Sequence, residues 1–223
     1  MMYFSRVRIR PDHRSLQSLF TADGYAEHKL LWSLFSAQTS GSRPFLYRSD
    51  IERGGTSFLV VSNEAPRADH PVLVVETKDY QPQLKAGERL EFRLRANPVI
   101  SRRDDSGKLH RHDVVMDAKR RNSGDENLNL MVIVQAAGAE WLAKRSEKHG
   151  FEVAASELRV DGYRQHRWFK RTQSRPVRLS TLDFAGVLTV SDPATFTNAL
   201  INGIGSAKGF GCGLLLVRRL GGC

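Results

Sequence analysis

Cysteine is nearly absent from this 223-residue chain, which holds only Cys212 and Cys223. The two form no CxxC pair and join no His/Cys cluster, which argues against a disulfide framework and against a structural zinc site. Long apolar runs are missing too. Nothing approaches the roughly 18 consecutive apolar residues of a membrane span. The N-terminus has no signal-peptide core, because Arg6, Arg8 and Arg10 alternate with Val7 and Ile9 in the pattern of a strand. The expected location is the cytoplasm. Acid is the third shortage: Lys plus Arg number 34 against 24 Asp plus Glu, a net charge of +10. Such an excess favours a polyanionic partner, because each phosphate neutralised releases counterions. A membrane partner is not expected, since no long basic amphipathic helix is visible.

What remains is an ordinary globular composition, 40% hydrophobic and 26% charged, in a length that suits one large domain or two small ones. Tyr3–Ile9 alternates as a strand. Leu30, Leu31, Leu34 and Phe35 share one face of a helix that Asp23 is placed to cap. Phe45–Arg48, Thr56–Ser62 and Val72–Thr77 are rich in strand formers, with Gly54-Gly55 suggesting a hairpin turn. No second helix is evident in this first half. A second half begins near Glu88 with the alternating segment Leu90–Val99. The polar stretch Ser101–Asn127 reads mostly as a mobile surface loop. A helix around Trp141, Leu142 and Arg145 ends at Gly150, Phe151–Val160 and Arg175–Val190 read as strands, and Asp192-Pro193 starts a helix that stops at Gly203. Gly213–Arg218 is a last strand. The order βαββαβ is ferredoxin-like. A weak internal echo gives the expected fold: α+β, two tandem ferredoxin-like domains with antiparallel sheets, over residues 1–87 and 88–223.

Three places can carry chemistry. On the first helix, Tyr25, His28 and Trp32 fall together, with Tyr25 and His28 one turn apart and Lys29 close by. An imidazole transfers a proton near neutral pH, and a phenol beside it can hold a phosphate. RNA cleavage by its own 2′-hydroxyl needs one proton taken and one given. Spacing alone equally fits a half-exposed histidine with no task. The second place is Tyr163–Arg178, which holds six basic residues, Arg164, Arg167, Lys170, Arg171, Arg175 and Arg178, and no acid. Tyr163, Trp168 and Phe169 are interleaved with them, as in surfaces that pair phosphates with cations and bases with rings. The third place is Gly203–Gly213, with five glycines in eleven residues: Gly203, Gly205, Gly209, Gly211 and Gly213. It is neither a dinucleotide fingerprint nor a P-loop. It permits close backbone approach to a ligand, with Lys208 available to a phosphate. Asp104, Asp105, Asp113 and Asp117 show no ligand spacing, so no metal site is expected.

These segments resemble a known family. Gly203-Ile-Gly205-Ser-Ala-Lys208-Gly209-Phe-Gly211-Cys-Gly213-Leu-Leu resembles the C-terminal glycine-rich motif of CRISPR repeat-processing endoribonucleases, and its Cys-Gly-Leu-Leu ending is most like the CasE branch. Phe92-Arg-Leu-Arg-Ala-Asn-Pro98, Tyr25-Ala-Glu-His28-Lys-Leu-Leu-Trp32-Ser-Leu-Phe35 and Phe184–Val190 resemble segments of the same family. The resemblance implies two ferredoxin-like domains and metal-independent cleavage of precursor RNA at the base of the repeat hairpin, without a cofactor. It implies a 2′,3′-cyclic phosphate product and continued binding of the cut RNA. The implied partners are the CRISPR repeat RNA hairpin and other Cascade subunits, with the isolated chain a monomer. The resemblance carries the catalytic histidine onto His28, the active-site tyrosine onto Tyr25 and the RNA-gripping hairpin onto Arg164–Arg178. One departure is visible: Gly209 stands where many relatives carry a larger residue.

Overall fold

The computed structural model describes residues 1–16, 25–35, 43–53, 55–122, 129–168 and 176–221. The first four strands, β1 (Tyr3–Ile9), β2 (Phe45–Glu52), β3 (Gly55–Ser62) and β4 (Leu73–Asp79), form one antiparallel sheet in the order β2-β3-β1-β4. Alternation explains β1: Val7 and Ile9 are buried, while Arg6 and Arg8 face outward to Glu52 and Glu76 at 2.7 and 2.6 Å. Helix α1 (Ala26–Trp32) packs on this sheet with Leu31, and the turn beyond it buries Leu34 and Phe35 among Val7, Phe45 and Phe58.

The second sheet holds β5 (Arg89–Ala96), β8 (Phe151–Glu152), β9 (Leu158–Trp168), β10 (Val177–Val190) and β11 (Leu215–Arg219). Its order is β11-β5-β10, with β8 and β9 both pairing β10. Numbered within its own half, each sheet follows the order 4-1-3-2, so the fold is α+β with two ferredoxin-like antiparallel sheets. Helix α3 (Leu130–Ser146) covers the second sheet with Ile133, Val134, Ala137, Trp141 and Leu142, a spacing of three and four. Gly138 lets it approach closely, since a Cβ there would lie 2.5 Å from Val160 Cγ1. Helix α4 (Pro193–Asn202) starts as its sequence requires: Asp192 accepts from the Ala194 and Thr195 amides. The two halves meet through Leu46 and Val61 of the first and Leu214 of the second.

Four expectations need correction or completion. Ser101–Asn127 is not mostly a loop. It contains the hairpin β6 (Val99–Arg103) and β7 (Leu109–Asp113), then helix α2 (Val114–Arg121), while residues 123–128 lie outside the described part. The acids that suggested solvation have local tasks: Asp104 accepts from Ser106 and Lys108 amides in the hairpin turn, Asp113 caps α2, and the buried Asp117 takes a two-pronged bond from Arg102 at 2.6 Å. Val114, Val115 and Ala118 meanwhile join the second core. Phe151–Val160 is not one strand, because a turn of 3-10 helix at Ala155–Glu157 separates β8 from β9. The Asp23 cap lies outside the described residues, as does Gly54. Residues 63–72 form turns and no helix, so the first half does lack the second helix of its fold. No helix among the described residues is long and apolar enough to cross a membrane.

Candidate active site

Residue 25 begins α1 without offering a side-chain cap, and its ring turns instead toward His28, with centroids 4.6 Å apart. His28 is 6% exposed and continues an aromatic row through Trp32 and Phe45, at 5.4 Å each. Its Nδ1 is sealed from solvent and has no hydrogen-bond partner, so the imidazole is not committed to a structural bond. Burial, and then the nearby Arg43 charge, push His28 down to about 4. The ring is therefore neutral at pH 7.

The glycine-rich loop comes from the second half and closes over this helix. Gly203, at φ 73°, ends α4 where a Cβ would meet the Gly213 carbonyl at 2.8 Å. Gly213 sits at φ 92°, and its amide donates to the Arg95 carbonyl at 2.7 Å. Gly205 lies against Trp141 and Gly211 against the Tyr47 ring. Tyr47, buried on β2, donates its hydroxyl to the Gly209 carbonyl at 3.1 Å. Gly209 thus lies directly over the pair: a Cβ there would come 3.3 Å from Tyr25 Cε2 and 4.0 Å from His28 Nδ1. Phe210 continues the cover, 5.7 Å from the Tyr25 ring and stacked 5.3 Å from Trp168 of β9. Trp168 stacks in turn on His166 at 5.2 Å.

Two cations complete the surroundings. Lys208 donates to the Asn202 carbonyl at 2.6 Å, and its ammonium is pushed down by burial and then by Arg43. Arg43 is itself pushed down by burial, and its Nε has no partner. Two partly desolvated cations and a neutral imidazole held this close suit an anion that would relieve their mutual repulsion. Glu27, next to His28 in sequence, is pushed up by burial, an effect opposed by Ser49 and Arg95.

The structure brings together Tyr25, His28, Lys208 and the glycines, as the sequence reading expects. It divides the basic ribbon. Arg164 pairs with Thr181 and Arg167 with Arg178, so the two arginines fall on opposite faces of the β9–β10 ribbon. Lys170, Arg171 and Arg175 lie outside the described residues. Arg43, Tyr47 and Phe210 are the neighbours that sequence reasoning missed. Arg43 carries no local signal, and Tyr47 reads as one more strand aromatic.

Two ferredoxin-like sheets with a neutral imidazole, a phenol and two cations under a glycine-rich loop define a protein equipped to hold an anion beside a proton carrier. The chain belongs to the CRISPR associated protein family, whose model matches residues 2–219. It is 27% identical to the CRISPR system Cascade subunit CasE of Escherichia coli strain K12, covering 98% of this chain and 100% of that one. It is also 27% identical to the CRISPR-associated endoribonuclease Cse3 of Thermus thermophilus, covering 97% and 99%. Among solved structures, Thermus thermophilus Cse3 bound to an RNA representing a pre-cleavage complex superposes with a TM-score of 0.72 at 25% identity, covering 98% and 99% of the two chains. Cas6e from Escherichia coli K-12 superposes with a TM-score of 0.62 at 26% identity, covering 98% and 100%.

Proposed function

We propose that the chain is a metal-independent endoribonuclease that cuts CRISPR precursor RNA at the base of the repeat hairpin and keeps the product as a subunit of Cascade. The observation that carries this reading is His28: neutral, uncommitted through Nδ1, and flanked by Tyr25, Arg43 and Lys208. The names of the relatives support it from the outside, since Cse3 is an endoribonuclease and CasE a Cascade subunit.

In this reading the scissile phosphate lies between Arg43, Lys208 and the loop backbone at Gly209. Neutral His28 takes the proton of the adjacent 2′-hydroxyl, and that oxygen attacks phosphorus. The P–O5′ bond breaks, and the 5′-oxygen leaves as a hydroxyl with a proton from Tyr25. The other product is a 2′,3′-cyclic phosphate. Arg43 and Lys208 carry the charge that builds on the non-bridging oxygens. Arg164 contributes from the ribbon face that bears His166 and Trp168, beside the loop. The two domains divide at 87 and 88: residues 1–87 carry the helix with His28, and residues 88–223 carry the loop and the basic ribbon.

A repeat hairpin incubated in EDTA with wild type and with His28→Ala tests this. Cutting by wild type alone, with cyclic phosphate ends, is the expected result. Tight binding without cutting by wild type would make the chain a structural RNA-binding subunit instead.

A further inference from the structure

A second polar cavity, of ≈720 Å³, lies on the other face of the β9–β10 ribbon, bounded by Asn97, Arg111, Arg167, Arg178 and Ser180. The strand register explains its charge. Arg167 stands directly opposite Arg178, and Gln165 opposite Ser180, so all four side chains share this face. Like charges directly opposed across an antiparallel pair repel each other. A third arginine, Arg111, enters from β7, in the segment that the catalytic reading leaves without a task. Among the described residues, neither Arg111 nor Arg178 forms an ion pair with a carboxylate.

The acid at this cavity, Asp113, is already committed. One oxygen accepts from the Val115 and Met116 amides and the other from the Tyr163 hydroxyl at 2.8 Å. It therefore does little to neutralise the arginines. Ser180 is 4% exposed, and its hydroxyl, at the cavity floor, has no hydrogen-bond partner. Polar groups so placed are unusual unless something else meets them. The cavity is also tied to the His28 centre. Asn97 donates to the Ser180 carbonyl at 2.7 Å and accepts from the Ser206 hydroxyl at 2.9 Å, and Ser206 belongs to the glycine-rich loop. The loop thus lies between the two places.

We infer that this cavity takes a second phosphodiester of the RNA whose scissile phosphate lies at His28, with Arg111, Arg167 and Arg178 as its counter-charges. The inference rests on the endoribonuclease reading. Planar guanidinium groups match phosphate oxygens in forked pairs, and a phosphate here would cancel the Arg167–Arg178 repulsion. The RNA would then hold the protein at two points, one on each side of the glycine-rich loop.

The test measures binding of a repeat hairpin with 2′-O-methyl riboses, which keeps its helix form and cannot be cut by its own 2′-hydroxyl. Affinity is followed against salt for wild type, Arg111→Ala, Arg178→Ala and, as a control, Arg218→Ala, whose side chain pairs with Glu91 on the distant β11. Arg111→Ala and Arg178→Ala should each weaken binding about ten-fold and lower the salt slope by about one, while Arg218→Ala changes neither. Arg178→Gln replaces Arg178→Ala if thermal melting shows that the latter is unfolded. Wild-type slopes in both arginine variants, beside a wild type that binds this hairpin and cuts the unmodified one, would overturn the second contact and leave the endoribonuclease reading standing. A wild type that neither binds nor cuts would overturn both.

Discussion

The two halves share one strand order and differ in how their helices are secured. In the second half every α-helix opens on a side chain that accepts backbone amides: Asp113 for α2, Asn129 for α3 and Asp192 for α4. In the first half α1 has seven residues and no side-chain cap among the described contacts. A cap contributes about 1 kcal/mol, and a helix so short has little stability of its own. Its place is set by tertiary contacts instead, through Leu31, the Phe35 ring stacked 5.0 Å from Phe45, and the loop reaching over from the other half. The proposed chemistry therefore sits on the less self-sufficient element, held in position by the better-packed half.

The largest effect expected is at that helix. His28→Ala should slow cutting by about 10²–10⁴-fold while the hairpin dissociation constant stays nearly constant; single-turnover rates and a binding titration measure both. The other half should show the largest effect on stability. Phe196→Ala empties a fully buried position and should cost about 3–5 kcal/mol by urea unfolding. Arg95→Ala tests the junction. Arg95 donates to Asp183 at 2.9 Å on its own sheet and to the Ser49 carbonyl at 2.9 Å on the other. Its loss should cost about 1–3 kcal/mol and also slow cutting, whereas a stability change without a rate change would mean that the halves hold their geometry without it. The pH profile separates the site from an ordinary histidine. Because His28 is pushed down to about 4, its neutral form persists as pH falls below the usual value of 6.5. kcat/KM should stay level from about pH 8 to about pH 5 and fall only below that; a fall through about 6.5 would show an unperturbed imidazole. The smallest effect should come from Gly209→Ala, whose new methyl crowds Tyr25 at 3.3 Å. A rate loss of a few-fold at unchanged melting temperature is expected, about 1 kcal/mol in the barrier.

Legibility followed the range of the interactions involved. Tyr3–Ile9, the Asp192-Pro193 helix start and the Gly150 helix end are read correctly because alternation, capping and a left-handed residue at φ 73° act within a few positions. Ser101–Asn127 is misread because its polar composition hides a turn held by Asp104 and a helix capped by Asp113, and because Val114, Val115 and Ala118 are too few to show a period. The basic run Tyr163–Arg178 is read as one patch. In the structure β9 extends to Trp168, and a strand sends alternate side chains to opposite faces, so Arg164 and Arg167 part company.

The sequence by itself determined the charge, the order of most strands and helices, the neighbourhood of Tyr25 and His28, and the flexible backbone of Gly203–Gly213. All of these depend on composition or on residues a turn apart. Only the tertiary structure decided that the loop covers His28, that Arg43 and Lys208 stand beside it, and that the ribbon has two differently charged faces. Those facts join residues far apart in the chain, and the burial that holds the imidazole neutral exists only once the two halves have closed on each other.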